Sequence, residues 1–164
     1  MTPALEELIH LLDERKIAYS VTDDKWISTD IQGEVADYRV YGQADADSDL
    51  FQILGYVPLR APEGCRAALA EAVARANNGL ILGKFELGLE DGRLRFQMAQ
   101  ILTGDSAGEE VIDRMIGTTL SMLEMYLPAF LSVIYANDLP KDAIERVEAS
   151  HRRPSETEGE EVEA

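Results

Sequence analysis

The chain has 164 residues, 15 Lys+Arg against 31 Asp+Glu and a formal net charge of −16. That length supplies one core and would cramp two, and 46% apolar with 28% charged residues is the balance of an ordinary globular domain. Acidity of this size repels phosphate backbones and anionic bilayers, so neither nucleic acid nor a membrane surface is an expected partner.

Thr2-Pro3 reads as a helix start, a capping hydroxyl followed by proline at the first helical position. Leu5, Leu8, Ile9 and Leu12 then recur at helical spacing opposite Glu6, Glu7, Asp13 and Glu14. From Ala18 to about Pro58 the period changes. Tyr19/Val21, Trp26/Ile27, Tyr38/Val40 and Leu50–Val57 are β-rich patches parted by Asp23-Asp24, Gln32-Gly33 and Asp45–Asp49. They predict three or four short antiparallel strands, closed by Pro58 to Pro62.

A second, alanine-faced helix follows through Cys65, Ala68, Leu69, Ala72, Val73 and Ala76, with Gly79 free to end it in the left-handed conformation. Asp91-Gly92 predicts a two-residue hairpin turn that sets Leu89 against Leu94, Leu87 against Phe96 and Phe85 against Met98. Ser106, with Glu109 three residues on, has the spacing of a capping box for a long helix from Val111 to Tyr135, kinked or broken at Pro128. Leu139-Pro140 opens a short last helix to about Ala149. Residues 150–164 hold five Glu and one large apolar side chain, Val162, and read as a disordered acidic tail.

Chemistry-bearing residues are sparse. His10 lies in the first helix beside Ile9 and reads as a surface histidine; His151 falls in the tail. Cys65, on an apolar helix face, reads as a small hydrophobe. As the single cysteine it can form no internal disulfide, and the Met1-Thr2-Pro3 start lacks a basic-then-apolar leader, so the cytoplasm is the expected compartment. Asp45-Ala46-Asp47-Ser48-Asp49 begins like a calcium loop, but Leu50 and Tyr56 stand where glycine and a bidentate glutamate are needed. No phosphate loop, dinucleotide fingerprint or H-E-x-x-H zinc motif is present. No catalytic residue, metal ligand or cofactor site is therefore assigned.

The long helix carries two adjacent apolar stripes, Ile112, Ile116, Leu120, Leu123, Leu127, Leu131 and Val111, Met115, Met122, Met125, Ala129, Val133. That is wider than the ~100° a surface helix ordinarily buries. Either the core covers both stripes, or Val111, Met115, Met122, Met125 and Val133 form a homodimer seam or a client surface, for which flexible thioethers are suited.

The run Asn77-Asn78-Gly79-Leu80-Ile81-Leu82-Gly83-Lys84-Phe85-Glu86-Leu87, the Glu90-Asp91-Gly92 turn and Tyr126-Leu127-Pro128 before Val133-Ile134-Tyr135 resemble the YbjN family of bacterial proteins over about residues 4–145. The resemblance implies a single α+β domain over residues 1–149, an antiparallel sheet packed by helices in the order α-β-β-β-α-β-β-α, with the fold of type III secretion chaperones. It implies action by binding protein rather than by catalysis. The expectation is a non-enzymatic, chaperone-like adaptor or regulator of an unidentified cytoplasmic protein partner. The alternative is a small enzyme or metabolite-binding domain whose site combines acids distant in sequence.

Overall fold

The computed structural model describes residues 1–45 and 47–152; Ala46 and the expected tail from residue 153 onward lie outside them. Helix α1 spans Pro3–Glu14 with its proline in the first turn, and Leu5, Leu8 and Leu12 are buried as the helical spacing predicts. The Thr2 hydroxyl makes no cap bond and is left without a partner.

Four strands follow rather than three: β1 (Tyr19–Thr22), β2 (Trp26–Gln32), β3 (Asp37–Asp45) and β4 (Leu50–Arg60). Each of the four β-rich patches lies on its own strand. Pro58 does not close the strand region, because β4 continues through it to Arg60. Proline cannot donate to a ladder, and the β4 register is irregular between Tyr56 and Arg60.

Helix α2 (Arg66–Asn78) is entered through a 3-10 turn at Glu63–Cys65. Gly79 does not take the left-handed conformation (φ −100°); Gly83 does (φ +72°), at the entry to β5 (Lys84–Leu87). Strand β6 (Arg93–Ile101) pairs with β5 as a hairpin, but two residues out of the expected register: Leu87 faces Leu94 and Phe85 faces Phe96. The loop is wider than a two-residue turn, for the Gly88 amide donates to the Arg93 carbonyl and the Gly92 amide to the Gly88 carbonyl. Gly92 holds the positive φ the sequence calls for (+73°). A shift of two conserves side-chain parity, so the apolar face survives while Leu89 swings into solvent.

Helix α3 runs unbroken from Glu109 to Tyr135 with Pro128 inside it. No break occurs there because its neighbours Leu127, Ala129 and Phe130 are all buried, and tertiary packing outweighs the one lost hydrogen bond. The expected Ser106 cap is absent. Instead Glu7 of α1 accepts hydrogen bonds from the Ala107 and Gly108 amides, both 3.0 Å, and from the Ser106 hydroxyl. A carboxylate brought from the first helix thus satisfies the start of α3. Helix α4 (Pro140–His151) extends two residues into the segment expected to be disordered, so Ser150 and His151 are helical.

All pairings are antiparallel, in the strand order β1-β2-β3-β4-β6-β5. Helices α1, α2 and α3 cover one face, and α4 packs on α2 and α3. Two glycines set how closely the helices approach. Leu8 of α1 sits over Gly42, and Leu123 and Thr119 of α3 sit over Gly55, where an added Cβ would lie 2.6 and 2.7 Å from their methyl carbons. Between sheet and α3 lies an aromatic cluster: Phe85 meets Phe96, Tyr126 and Phe130 edge-on at 4.9, 5.4 and 5.1 Å. Every helix is on one side, so the other face of the sheet has no covering layer among the described residues.

Candidate functional site: the open face of the sheet

Alternation along β2, β3, β4 and β6 sends Ile27, Tyr38, Val40, Ile53, Val57, Leu94 and Phe96 into the core. It sends Trp26, Asp30, Arg39, Tyr41, Tyr56, Arg93 and Arg95 to the open face. The pairing register then aligns these outward residues. Asp30 lies opposite Arg39, Arg39 opposite Tyr56, Tyr56 opposite Arg95, and Arg95 opposite Glu86. One continuous row of acid, base, aromatic, base, acid therefore crosses five strands, about 19 Å at ~4.8 Å per strand.

The row is tied together by contacts of good geometry. The Arg39 guanidinium donates to both Asp30 oxygens at 2.5 and 2.7 Å. Arg95 donates to the Tyr56 hydroxyl at 2.8 Å and to Glu86 Oε2 at 2.7 Å. Partial burial works against ionisation of Glu86, but Lys84 and Arg95 outweigh it and hold its carboxyl below the usual range. Tyr56 is central: Arg93 and Arg95 both lie over its ring, at 5.5 and 5.8 Å, within cation–π range. Its other edge meets Tyr41 at 5.6 Å, and Tyr41 meets Trp26 at 6.3 Å, both edge-to-face. Beneath them Leu54 is buried at 4% exposure yet lies outside the main core cluster, a small apolar floor on the open side.

These side chains form a groove of about 650 Å³ between Trp26, Tyr41, Tyr56 and the arginines Arg39, Arg60 and Arg93. That is the size range of ordinary ligand clefts, and no carboxylate among the described residues lines it. A second depression continues it past Arg95 to Glu86 and Asp91. Sequence reading missed this site. Its basic residues come from three strands and its aromatics from three, so no stretch of the chain interleaves them; the cue was the outward parity of each strand, and only the register joins them.

The residues singled out from sequence lie elsewhere. Met115 and Val133, each 4% exposed, are core residues of this one chain and offer a partner nothing without the core opening. Met122 and Met125 are half-buried against the core, and Val111 is exposed. Sheet, α1, α2 and α4 therefore cover most of the broad face. His10 is an exposed surface histidine, its Nδ1 2.8 Å from Glu109. His151 is not in a tail but caps α4, its Nδ1 2.8 Å from the Val147 carbonyl. Cys65 rests its sulfur 3.7 Å from the Ile134 carbonyl. Asp47 to Asp49 form the turn between β3 and β4.

Two arrangements could suggest catalysis. His10, Glu14 and Glu109 are close enough together to share a cation, but all three are exposed. Gly104-Asp105-Ser106-Ala107-Gly108 carries the G-x-S-x-G spelling of a nucleophile elbow, which sequence reading missed and counted as absent, and it does join a strand to a helix. The geometry refuses that role. Ser106 donates to Glu7 rather than to a histidine, and the Ala107 and Gly108 amides are filled by the same carboxylate. An oxyanion would have to displace it.

The chain matches the YbjN family, described as a putative bacterial sensory transduction regulator, over residues 4–132. Among solved structures it is similar to that of YbjN, a putative transcription regulator from E. coli. The TM-score is 0.55 at 12% identity, over 76% of this chain and 89% of that one. No curated protein matches with significance. At such identity the likeness of structures carries the fold alone. The family match takes in α1, the whole sheet with its groove, α2 and most of α3, and the chain belongs to the YbjN family.

Proposed function

We propose that this chain is a non-enzymatic, chaperone-like regulator or adaptor of the bacterial cytoplasm that works by holding a polypeptide partner on the open face of its sheet. One observation carries this reading: an aromatic edge of Trp26, Tyr41 and Tyr56 is flanked by arginines in a protein of net charge −16. Aromatic and arginine side chains are the groups that dominate protein recognition energetics. Their chemistry suits an acidic segment punctuated by an apolar side chain, the acid meeting Arg60 and Arg93 and the apolar group lying on Trp26 and Tyr41. A nucleic acid suits it less. Its phosphates, running along the row, would meet Asp30 at one end and Glu86 at the other, and beyond the groove the whole-molecule charge repels them.

The regulator description of the family fits this reading. Trp26 is the single tryptophan, so binding can be read from its emission. An acidic peptide carrying one tyrosine is expected to bind with a Kd in the micromolar range, weakened about tenfold or more by Tyr56→Ala or Arg93→Glu. Binding unchanged by both substitutions would overturn the reading. Tighter binding of a single-stranded oligonucleotide than of any peptide would replace it with nucleic-acid recognition by stacking.

The exposed edge of α3 supports a second surface, in which Val111, Met122 and Met125 would meet a second copy. Light scattering decides it: a dimer that Met122→Glu/Met125→Glu converts to monomer supports the seam, and a wild-type monomer removes it.

A further inference from the structure

We infer that the arginine–aromatic groove is occupied by an acidic segment of this same chain, residues 153–164, which shields it until a partner of similar chemistry takes its place. This rests on reading the groove as a peptide site, and adds what fills that site in the absence of a partner.

Charge is the first ground. Of the groove arginines, Arg39 is engaged by Asp30. Arg95, just beyond, is engaged by Glu86. Arg60 and Arg93 make no ion pair among the described residues. The Asp91 carboxylate feels both; its pKa is lowered chiefly by the Arg93 backbone amide and only secondarily by the two guanidinium groups. Two cations are thus left facing a groove with no acid in its lining among the described residues. The segment supplies Glu156, Glu158, Glu160, Glu161 and Glu163 with the apolar Val162 among them. Without Arg153 and these five Glu the rest of the chain still carries −12 of the whole chain's −16, so these acids find few basic surfaces. In the groove, arginines and aromatics meet.

Reach is the second ground. The Tyr126 hydroxyl donates to Glu148 near the end of α4 at 2.9 Å, and the Tyr126 ring packs edge-on to Phe85 at 5.4 Å. Phe85 belongs to β5, the edge strand, so the chain leaves the helical layer beside that edge. Arg93 and Arg95 lie one strand inward and Tyr56 two, about 5 and 10 Å across the sheet, and passing from one layer to the other adds about 10 Å. Twelve residues extend to about 40 Å. A tethered segment also acts at an effective concentration near the millimolar range, so even weak contacts fill the groove.

The full-length chain tests this with Trp26 as reporter. Compare the wild type with the variant in which Glu156, Glu158, Glu160, Glu161 and Glu163 are all changed to Gln. The variant is expected to show about twofold stronger acrylamide quenching of Trp26, and the wild type to reach the same level at 1 M salt, where charges are screened within ~3 Å. A labelled synthetic peptide of residues 153–164 is expected to bind the variant about tenfold tighter than the wild type, because the tethered copy no longer competes. Adding Arg60→Glu and Arg93→Glu to the variant should abolish that binding. Equal quenching, or equal peptide affinity for variant and wild type, overturns the inference. If that equal affinity still depends on Arg93, the groove stands as a peptide site and only self-occupancy fails. If no form of the chain binds the peptide, both fail.

Discussion

Single side chains hold distant parts of this fold together, and carboxylates do much of it. Glu124, on α3, accepts hydrogen bonds from the Glu34 and Val35 amides at 3.0 and 2.9 Å, anchoring the β2–β3 loop to the helix. Partial burial opposes its ionisation, but Tyr38 and those loop amides outweigh it, and its pKa lies below the ordinary value. Tyr38 is pushed the other way, first by burial and then by Glu124. A carboxylate whose pKa is depressed by folding stabilises the protein above its unfolded value of 4.5, and the benefit disappears as pH falls through the lower folded value. Glu124→Gln is therefore expected to destabilise by about 1 kcal/mol at pH 7, with the difference from wild type shrinking toward pH 3 in urea melts. A difference that stays constant with pH would show that the amide substitutes for the carboxylate in shape alone. Glu7 likewise ties distant segments together, accepting the Ala107 and Gly108 amides at the start of α3. In both cases the partners lie 89 or more positions away in sequence, which is why a local capping box was the wrong expectation for Ser106 and Glu109.

At the scale of elements, close approach decides the architecture. The sequence reading accounts for an alternating strand around Gly55 but not for the side chains above it. Thr119 and Leu123 press α3 against β4 at that point, so Gly55→Ala is expected to cost about 1–3 kcal/mol in chemical denaturation. Gly64→Ala, where an added Cβ would meet nothing within 4 Å, should be close to neutral. Equal effects at the two sites would deny that the α3–β4 contact is tightly packed. Asn77 shows the same dependence on tertiary placement. In the last turn of α2, it pairs with the edge strand like a ladder neighbour, its amide nitrogen donating to the Phe85 carbonyl at 2.9 Å and its oxygen accepting from the Phe85 amide at 2.7 Å. The hairpin register slipped by two rather than one because parity is enforced by the core, whereas the rung itself is set by a loop whose width Asp91-Gly92 does not specify.

Across the whole molecule, one layer of helices on one face of a sheet leaves the other face to do something else. The excess of acids over bases makes the body self-repelling, while Arg39, Arg60, Arg93 and Arg95 gather on the open face. Salt should therefore stabilise the fold by screening net repulsion more than it weakens the exposed ion pairs, which contribute little individually. The expected outcome is a Tm about 3–6 °C higher in 0.5 M NaCl than at low ionic strength, read by calorimetry. A fall in Tm would mean that the ion pairs, Arg39–Asp30 and Arg95–Glu86 among them, outweigh the repulsion.

Local pattern was enough for the α+β class, the four β-rich patches and the four helices, the last opening at Leu139-Pro140. Periods of two and 3.6 and the chemistry of turns act over neighbouring residues and can be read from them. What tertiary structure alone decided was which distant residues meet: Glu7 with the start of α3, Leu123 over Gly55, and the Asp30–Arg39–Tyr56–Arg95–Glu86 row. Strand register and helix docking are set by the core as a whole, so the groove exists in no single stretch of the chain and appears only when four outward faces are aligned.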